Sequence, residues 1–242
     1  MPFHGVPALT GDDVPRAVPR LRDMTLADIP AELGLFPLRE VLLLPRGKLP
    51  LNVFEPRYIA LLEDALAGQR LIGMIQPRGD AMEDEDGREL ASPLYDIGAI
   101  GRITSMTERA DGTYALTLTG LARFRLLRET GLHRGYRRAR IDVSSFAYDL
   151  TDSADLFFDR DRMLAALRHY CRSRGFGTRW NVIDQMDDET LLITLPMICP
   201  FPAAEKQALL ESASLNDRAR ALQALLELAG HKPDDEASHG PA

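Results

Sequence analysis

The sequence predicts an α+β protein, in which a strongly bent sheet of short strands with one early helix precedes a bundle of helices. Three observations carry this. Prolines cut the early apolar runs into strand-sized pieces, an Asp-Gly pair at Asp111-Gly112 separates two alternating runs, and around Tyr148 to Ser153 the hydrophobic period changes from two to 3.6. The chain of 242 residues is 45% hydrophobic, enough for one or two compact domains.

The stretch from Leu35 to Tyr58, LFPLREVLLLPRGKLPLNVFEPRY, organises the rest. Val41–Leu44 and Leu49–Phe54 flank a turn at Pro45–Lys48. Proline fixes φ and lacks an N–H, so Pro37, Pro45 and Pro50 cannot all lie in a central strand, and the two runs are predicted as short strands. Pro56 suits a first helical turn, and Tyr58, Leu61, Leu62, Ala65 and Leu66 then form one apolar helical stripe.

Residues 1–32 read as a mobile arm, with a helix-start signature at Thr25-Leu-Ala-Asp28 predicting a helical turn within 26–33. A barrel-like domain is expected over 33–149, a helical bundle over 150–230 and a polar tail over 231–242. Arg70–Gln76 is a buried-strand candidate. The acidic stretch 78–92 is a surface loop that lacks the ligand spacing of a calcium site. Leu94–Glu108 and Thr113–Gly120 are predicted as a hairpin, because Asp-Gly accepts positive φ at both central turn positions. Gly98 and Gly101 point to a bulge or tight bend in its first strand. Leu121–Arg128 and Tyr136–Val143 add two further strands, with a turn around Gly131–Gly135.

Met163, Leu164, Leu167, Tyr170 and Cys171 form the first stripe of the bundle. A short helix over Trp180–Met186 and one starting at Asp187 follow, then a helix opened by Pro202 and a last one capped by Ser214-x-x-Asp217.

Net charge is −7, which argues against broad non-specific nucleic-acid binding. Cys171 and Cys199 do not make a disulfide framework. No signal-peptide pattern opens the chain and no run is long and apolar enough for a bilayer, so a cytoplasmic protein with no membrane partner is expected. His169 and Cys171 lie about 200° apart around a helix, and no His or Cys pairing has zinc-ligand spacing, so no catalytic residue, metal or cofactor is expected. There is no G-x-x-x-x-G-K-[ST] phosphate loop.

The segments FPLR (Phe36–Arg39), LPLNVFEPRY (Leu49–Tyr58), LYDIGAIGRI (Leu94–Ile103), GLARFR (Gly120–Arg125) and PFPAAEKQALLE (Pro200–Glu211) recur in one order. In this the chain resembles the N-terminal substrate-binding domain of Lon proteases, over about Leu35 to Ala229. The resemblance implies a PUA-like β-barrel followed by helices. Lon proteases continue into an ATPase and a Ser-Lys protease. Here Lys48, Lys206 and Lys232 have no context resembling the catalytic segment, so a stand-alone domain that is not an enzyme is expected.

The implied role is non-catalytic binding of unfolded or tagged polypeptides, or of a dedicated protein partner, in protein quality control. A groove for them is expected between barrel and helices or at an uncovered sheet edge. Candidates to line it are Phe36, Phe54, Tyr58, Met74 and Met106, with Glu55 and Arg57 as the polar set. The competing reading pairs Glu55 with Arg57 at the strand–helix junction and puts Tyr58 in the core. The alternative function is RNA binding through Arg123, Arg125, Arg138 and Arg140, on strands that lack interleaved aromatics for base stacking. A solvated strand face is favoured over that site.

Overall fold

The structure, a computed structural model, describes residues 18–79, 92–151 and 156–230, and the backbone of two short strands at 82–83 and 89–90. Along the chain run β1 (Glu32–Pro37), β2 (Lys48–Val53), α1 (Pro56–Ala67), β3 (Leu71–Ile75), β4 (Met82–Glu83), β5 (Glu89–Leu90), β6 (Ile97–Glu108), β7 (Tyr114–His133) and β8 (Tyr136–Asp142). A 3-10 segment, Ser144–Leu150, leads into α2 (Arg160–Ser173), α3 (Trp180–Asp184), α4 (Asp188–Ile198), α5 (Ala203–Glu211) and α6 (Leu215–Gly230).

The sheet order is β2-β7-β6-β3-β1-β8, and β8 pairs again with β7. Five strands, β1, β3, β6, β7 and β8, therefore close into a ring, and β2 hangs on β7 outside it. Only β1 and β3 run parallel. The fold is α+β, a bent barrel and then helices. β7 makes closure possible, because its first half pairs with β2 and its second half with β8. Register shifts at Leu126/Arg128 and Glu129/Gly131 bend it, and one at Ile100/Gly101 bends β6, beside one of the two glycines predicted to mark a bend. The two predicted strands 113–120 and 121–128 are thus one strand.

Two further corrections follow from turn chemistry. Only Gly112 of the Asp111-Gly112 pair has positive φ, 77°. The loop is a three-residue one: Gly112 N–H donates to the Arg109 carbonyl at 3.0 Å, and Asp111 Oδ1 accepts from the Thr113 N–H at 3.0 Å. The two-residue turn with both φ values positive joins β7 to β8 instead, at Arg134 (48°) and Gly135 (90°). Val41–Leu44 is not a strand. Leu42, Leu43 and Leu44 are buried coil, and the following turn ties itself to β7 through Arg46 N–H to the Gly120 carbonyl and Gly120 N–H to the Gly47 carbonyl, both 2.8 Å. A Cβ on Gly120 would overlap the Leu44 carbonyl, so only glycine lets the turn come this close.

Two cores result. The smaller contains Leu35, Ile100, Phe124, Ala139 and Ile141 from the ring, with Met24 and Ile29 from the segment before β1. The 18–31 stretch, expected within the arm, thus packs against the barrel; its predicted helical turn is a 3-10 turn at Leu26–Asp28. The larger core runs from the sheet and α1 into the bundle without interruption. In the bundle, Asp187 caps α4 and Ser214 caps α6 by accepting N–H groups three residues on. Pro202 lies at the N-cap of α5, one place before its first turn.

α1 is tied to the β7–β8 hairpin by Tyr136, whose hydroxyl donates to Asp64 Oδ2 at 2.8 Å, and by Arg134 to Asp64 Oδ1 at 2.7 Å. Burial, and then this hydrogen bond, push the Tyr136 phenol up from 10.0 to about 12. The same bond holds the Asp64 carboxyl below the ordinary 3.8. A raised phenol contributes stability that is complete below its unfolded pKa and lost as pH climbs through the folded one. The urea midpoint is therefore expected to fall from pH 10.0 toward 12. Tyr136→Phe reduces that slope, leaving the parts due to the other raised groups, Tyr58, Tyr114, Tyr170 and Cys199. The Asp64 contribution is present above 3.8 and lost in acid, and Tyr136→Phe weakens it too. Gly120→Ala is expected to cost about 1–3 kcal/mol of unfolding free energy by overpacking, read from the same titration at neutral pH.

Candidate functional site

The seven residues of the predicted peptide site do not converge. Phe36, Tyr58 and Met74 are buried, and the Phe36 and Tyr58 rings pack at 4.2 Å between centroids. Glu55 and Arg57 pair with each other, Nη2 to Oε2 at 2.7 Å, across the start of α1, and the Arg57 guanidinium covers the Tyr58 ring. Phe54 (66% exposed) and Met106 (40%) face solvent from β2's end and from β6, with β7 lying between those strands.

The basic face also separates. Arg125 and Arg140 are exposed, and Arg138 pairs with Glu32 at 3.1 Å. Arg123 is 2% exposed and belongs to the seam between barrel and bundle. Its Nε donates to Asp149 Oδ2 at 2.9 Å, and Nη2 donates to Asp149 Oδ1 at 3.0 Å and Tyr148 Oη at 2.7 Å. Nη1 donates to the carbonyls of Leu210 (3.1 Å) and Ser212 (2.6 Å) at the end of α5. An arginine carries five N–H donors, and here each has an acceptor. Arg123 therefore corrects the predicted nucleic-acid face. Its signal in the sequence was an arginine set between Ala122 and Phe124, both of which are buried as well.

Other buried polar groups line the same seam. Gln76 Nε2 donates to the Ala203 carbonyl and to Gln207 Oε1, each at 3.1 Å, and Gln207 Nε2 reaches the Ile97 carbonyl at 3.0 Å. Lys206 Nζ donates to the Met197 carbonyl at 3.1 Å, and burial pushes its pKa down.

Beside this seam runs a groove of about 800 Å³ between β2 and α4. Leu49 and Pro50 form one wall; Ile193, Thr194, Met197 and Ile198 form the other. Arg46 and Glu189 border it as well, with Arg46 Nη1 2.9 Å from Glu189 Oε1. Gly47 lies close to α4: a Cβ there would meet Met197 Sδ at 2.5 Å and Ile193 at 3.2 Å. Among the described residues β2 has β7 as its one ladder partner, and its outer edge is unpaired. Ile198 is 61% exposed. Residue-level reading missed this wall, because Ile198 continues an apolar helical stripe and reads as core.

Among the described residues, no cluster of three or more His, Cys, Asp or Glu side chains is arranged to hold a metal, and no helix is long and apolar enough to cross a membrane.

A closed PUA-like barrel, a helical bundle joined to it by buried polar pairs and an apolar groove along an edge strand define the class of this protein. The profile of the ATP-dependent protease La (LON) substrate-binding domain matches residues 32–227, and the chain belongs to that family. It is 37% identical over 116 residues to Lon protease of Anaeromyxobacter dehalogenans, covering 48% of this chain and 13% of that one. It is 25% identical over 209 residues to Lon protease of Escherichia coli K12, covering 81% of this chain and 24% of that one. The chain thus spans between 13% and 24% of the length of these two relatives. The Lon N-terminal domain protein from Xanthomonas campestris has a similar fold (TM-score 0.53, 22% identity, 80% of this chain and 97% of that one). So does the N-terminal domain of Mycobacterium avium complex Lon protease (TM-score 0.51, 14% identity, 81% and 97%).

Removing one partner of a buried, fully hydrogen-bonded ion pair leaves a charge without compensation, at a cost of about 3–5 kcal/mol. Asp149→Asn, which strands Arg123, is expected to destabilise by that amount in urea denaturation. The double variant Arg123→Met, Asp149→Leu should recover part of the loss.

Proposed function

We propose that this chain is a non-catalytic polypeptide-recognition module, binding unfolded or tagged polypeptides through the groove between β2 and α4. The observation that carries this reading is the coincidence of an unpaired strand edge with an apolar helical wall. An extended segment laid along β2 satisfies its backbone on the strand and sets alternate side chains against Ile193, Met197 and Ile198. Pro50 lacks a donor, which limits pairing of one β2 edge with another and leaves room for a guest strand of suitable register. Methionine and isoleucine at the rim tolerate varied side chains. Membership of the Lon substrate-binding family supports the polypeptide class, and two buried free cysteines fit a reducing, cytoplasmic setting.

The test is fluorescence anisotropy of a labelled, permanently unfolded polypeptide titrated with the protein, with a labelled single-stranded RNA run in parallel at the same salt. Ile198→Glu, on an exposed side chain, is expected to weaken polypeptide binding at least about tenfold, roughly 1.4 kcal/mol. Phe54→Glu should leave it unchanged. The reverse ranking would move the site to the Phe54 end of the sheet, and binding of RNA alone would overturn the polypeptide reading.

A further inference from the structure

Arg218 is the buried cation that the seam does not use up. It is 4% exposed. Its Nε donates to the Leu209 carbonyl at 3.0 Å, but neither Nη1 nor Nη2 donates to any described residue. Among the described residues no carboxylate lies in ion-pair contact with it; Asp149, the acid whose charge acts on it, has both oxygens committed to Arg123. Burial, and then the charge of Arg123, bring its pKa down from 12.5 to about 10, with Tyr148 and Arg46 the other titratable groups that act on it. Its Nη1 and Nη2 donors are left to meet an acceptor from outside the described residues.

Arg218 lines a cavity of about 360 Å³. That lies within the roughly 300–1,000 Å³ range of small-ligand sites. The remaining wall is mixed: Pro45, Leu156, Ile193 and Leu215 are apolar, Arg123 and Asp149 are paired with each other, Arg46 is paired with Glu189, Tyr148 and Thr151 are polar, and Ala213 to Asn216 bring the first turn of α6 to the cavity. With those pairs set aside, the positive end of a sixteen-residue helix and the Arg218 guanidinium, which has no carboxylate partner among the described residues, share the cavity with a partly apolar wall. We propose that this cavity is a binding site for a carboxylate that carries a short apolar group. The guanidinium fork matches a carboxylate with two parallel N–H donors. One net positive charge suits a monoanion better than a phosphate dianion, and the apolar wall takes the alkyl part.

Two sources supply that chemistry. One is the C-terminal residue of a polypeptide, because the cavity adjoins the groove beside β2 and shares Arg46 and Ile193 with it. This source rests on the function proposed above. The other is a free small carboxylic acid, which does not.

The experiment is isothermal titration calorimetry of the full chain at neutral pH with three probes: acetyl-Ala-Ala-Leu with a free carboxylate, the same peptide as its C-terminal amide, and 4-methylpentanoate. The acid peptide is expected to bind at least tenfold more tightly than the amide. Arg218→Gln should abolish that preference and Arg218→Lys retain part of it. Because Arg218 also holds the end of α5, Ala213→Phe serves as the second variant; it fills the cavity mouth, leaves every arginine in place, and should weaken the acid peptide at least tenfold. Equal affinity of 4-methylpentanoate and acid peptide assigns the free acid; preference for the peptide assigns the C-terminal residue. Equal binding of acid and amide, or no binding of either carboxylate, overturns the site. The anisotropy assay keeps the two proposals apart: unfolded polypeptide that still binds in an Ile198-dependent way leaves the groove standing when the cavity fails.

Discussion

The position of the bundle on the barrel depends on one side chain. Arg123 sits on the long strand that closes the ring, and its five donors end on Asp149, Tyr148 and two carbonyls of the α5 terminus. A guanidinium taken out of water is strongly unfavourable unless every donor is met. The arrangement is therefore closer to all-or-none than a set of separate bonds, and β7, the 3-10 segment and α5 must be in register together. Two other buried cations meet fewer acceptors, one carbonyl each. Lys206 and Arg218 hold carbonyls near the ends of α4 and α5, where the helix dipole favours positive charge. A seam built of such contacts specifies one orientation, which a purely apolar interface of the same area would fix less tightly.

What that orientation creates is a separation between the barrel edge and the bundle. Gly47 packs against Met197 and Ile193 of α4. The groove and the cavity adjoin each other here, sharing Arg46 and Ile193, and the cavity is lined by the seam's own cations. Neither exists in the barrel alone or in the bundle alone. Their chemistry differs because the groove is bordered by a strand edge and apolar helix positions, and the cavity by charges that were buried to hold the seam.

Much of the fold was legible because it rests on local periodicity. The α1 stripe from Tyr58 to Leu66, the α2 stripe and the Asp187 and Ser214 caps are decided within a few residues of themselves. The strand boundaries at Val41–Leu44 and the two turns were not. Leu42 to Leu44 have strand-like composition, but their backbone lies against Gly120, far along the chain, and that contact decides them. The Asp111-Gly112 loop gained a residue because Asp111 takes the Thr113 N–H, whereas Arg134-Gly135 turned tightly because β7 and β8 arrive in register at His133 and Tyr136. The candidate site was least legible. Phe36, Tyr58 and Met74 are as apolar as any groove wall, and only the placement of α1 makes them core. Arg123 looked like one of a row of surface arginines, and nothing within its own strand names Asp149 as its partner.

The backbone at Arg46 connects these observations. Arg46 has φ of 66°, in the left-handed region, and Gly47 follows it directly. A non-glycine residue there carries strain on the order of 1–3 kcal/mol, sustained only where the surroundings determine it. The ladder bond from its N–H to Gly120 supplies that determination. If the turn needed only the conformation, glycine at this position would relieve the strain. The arginine side chain instead pairs with Glu189 and borders both the groove and the cavity. The strain is thus explained by the place to which it delivers a guanidinium: the one point where the barrel edge, the first turn of α4 and the cavity meet.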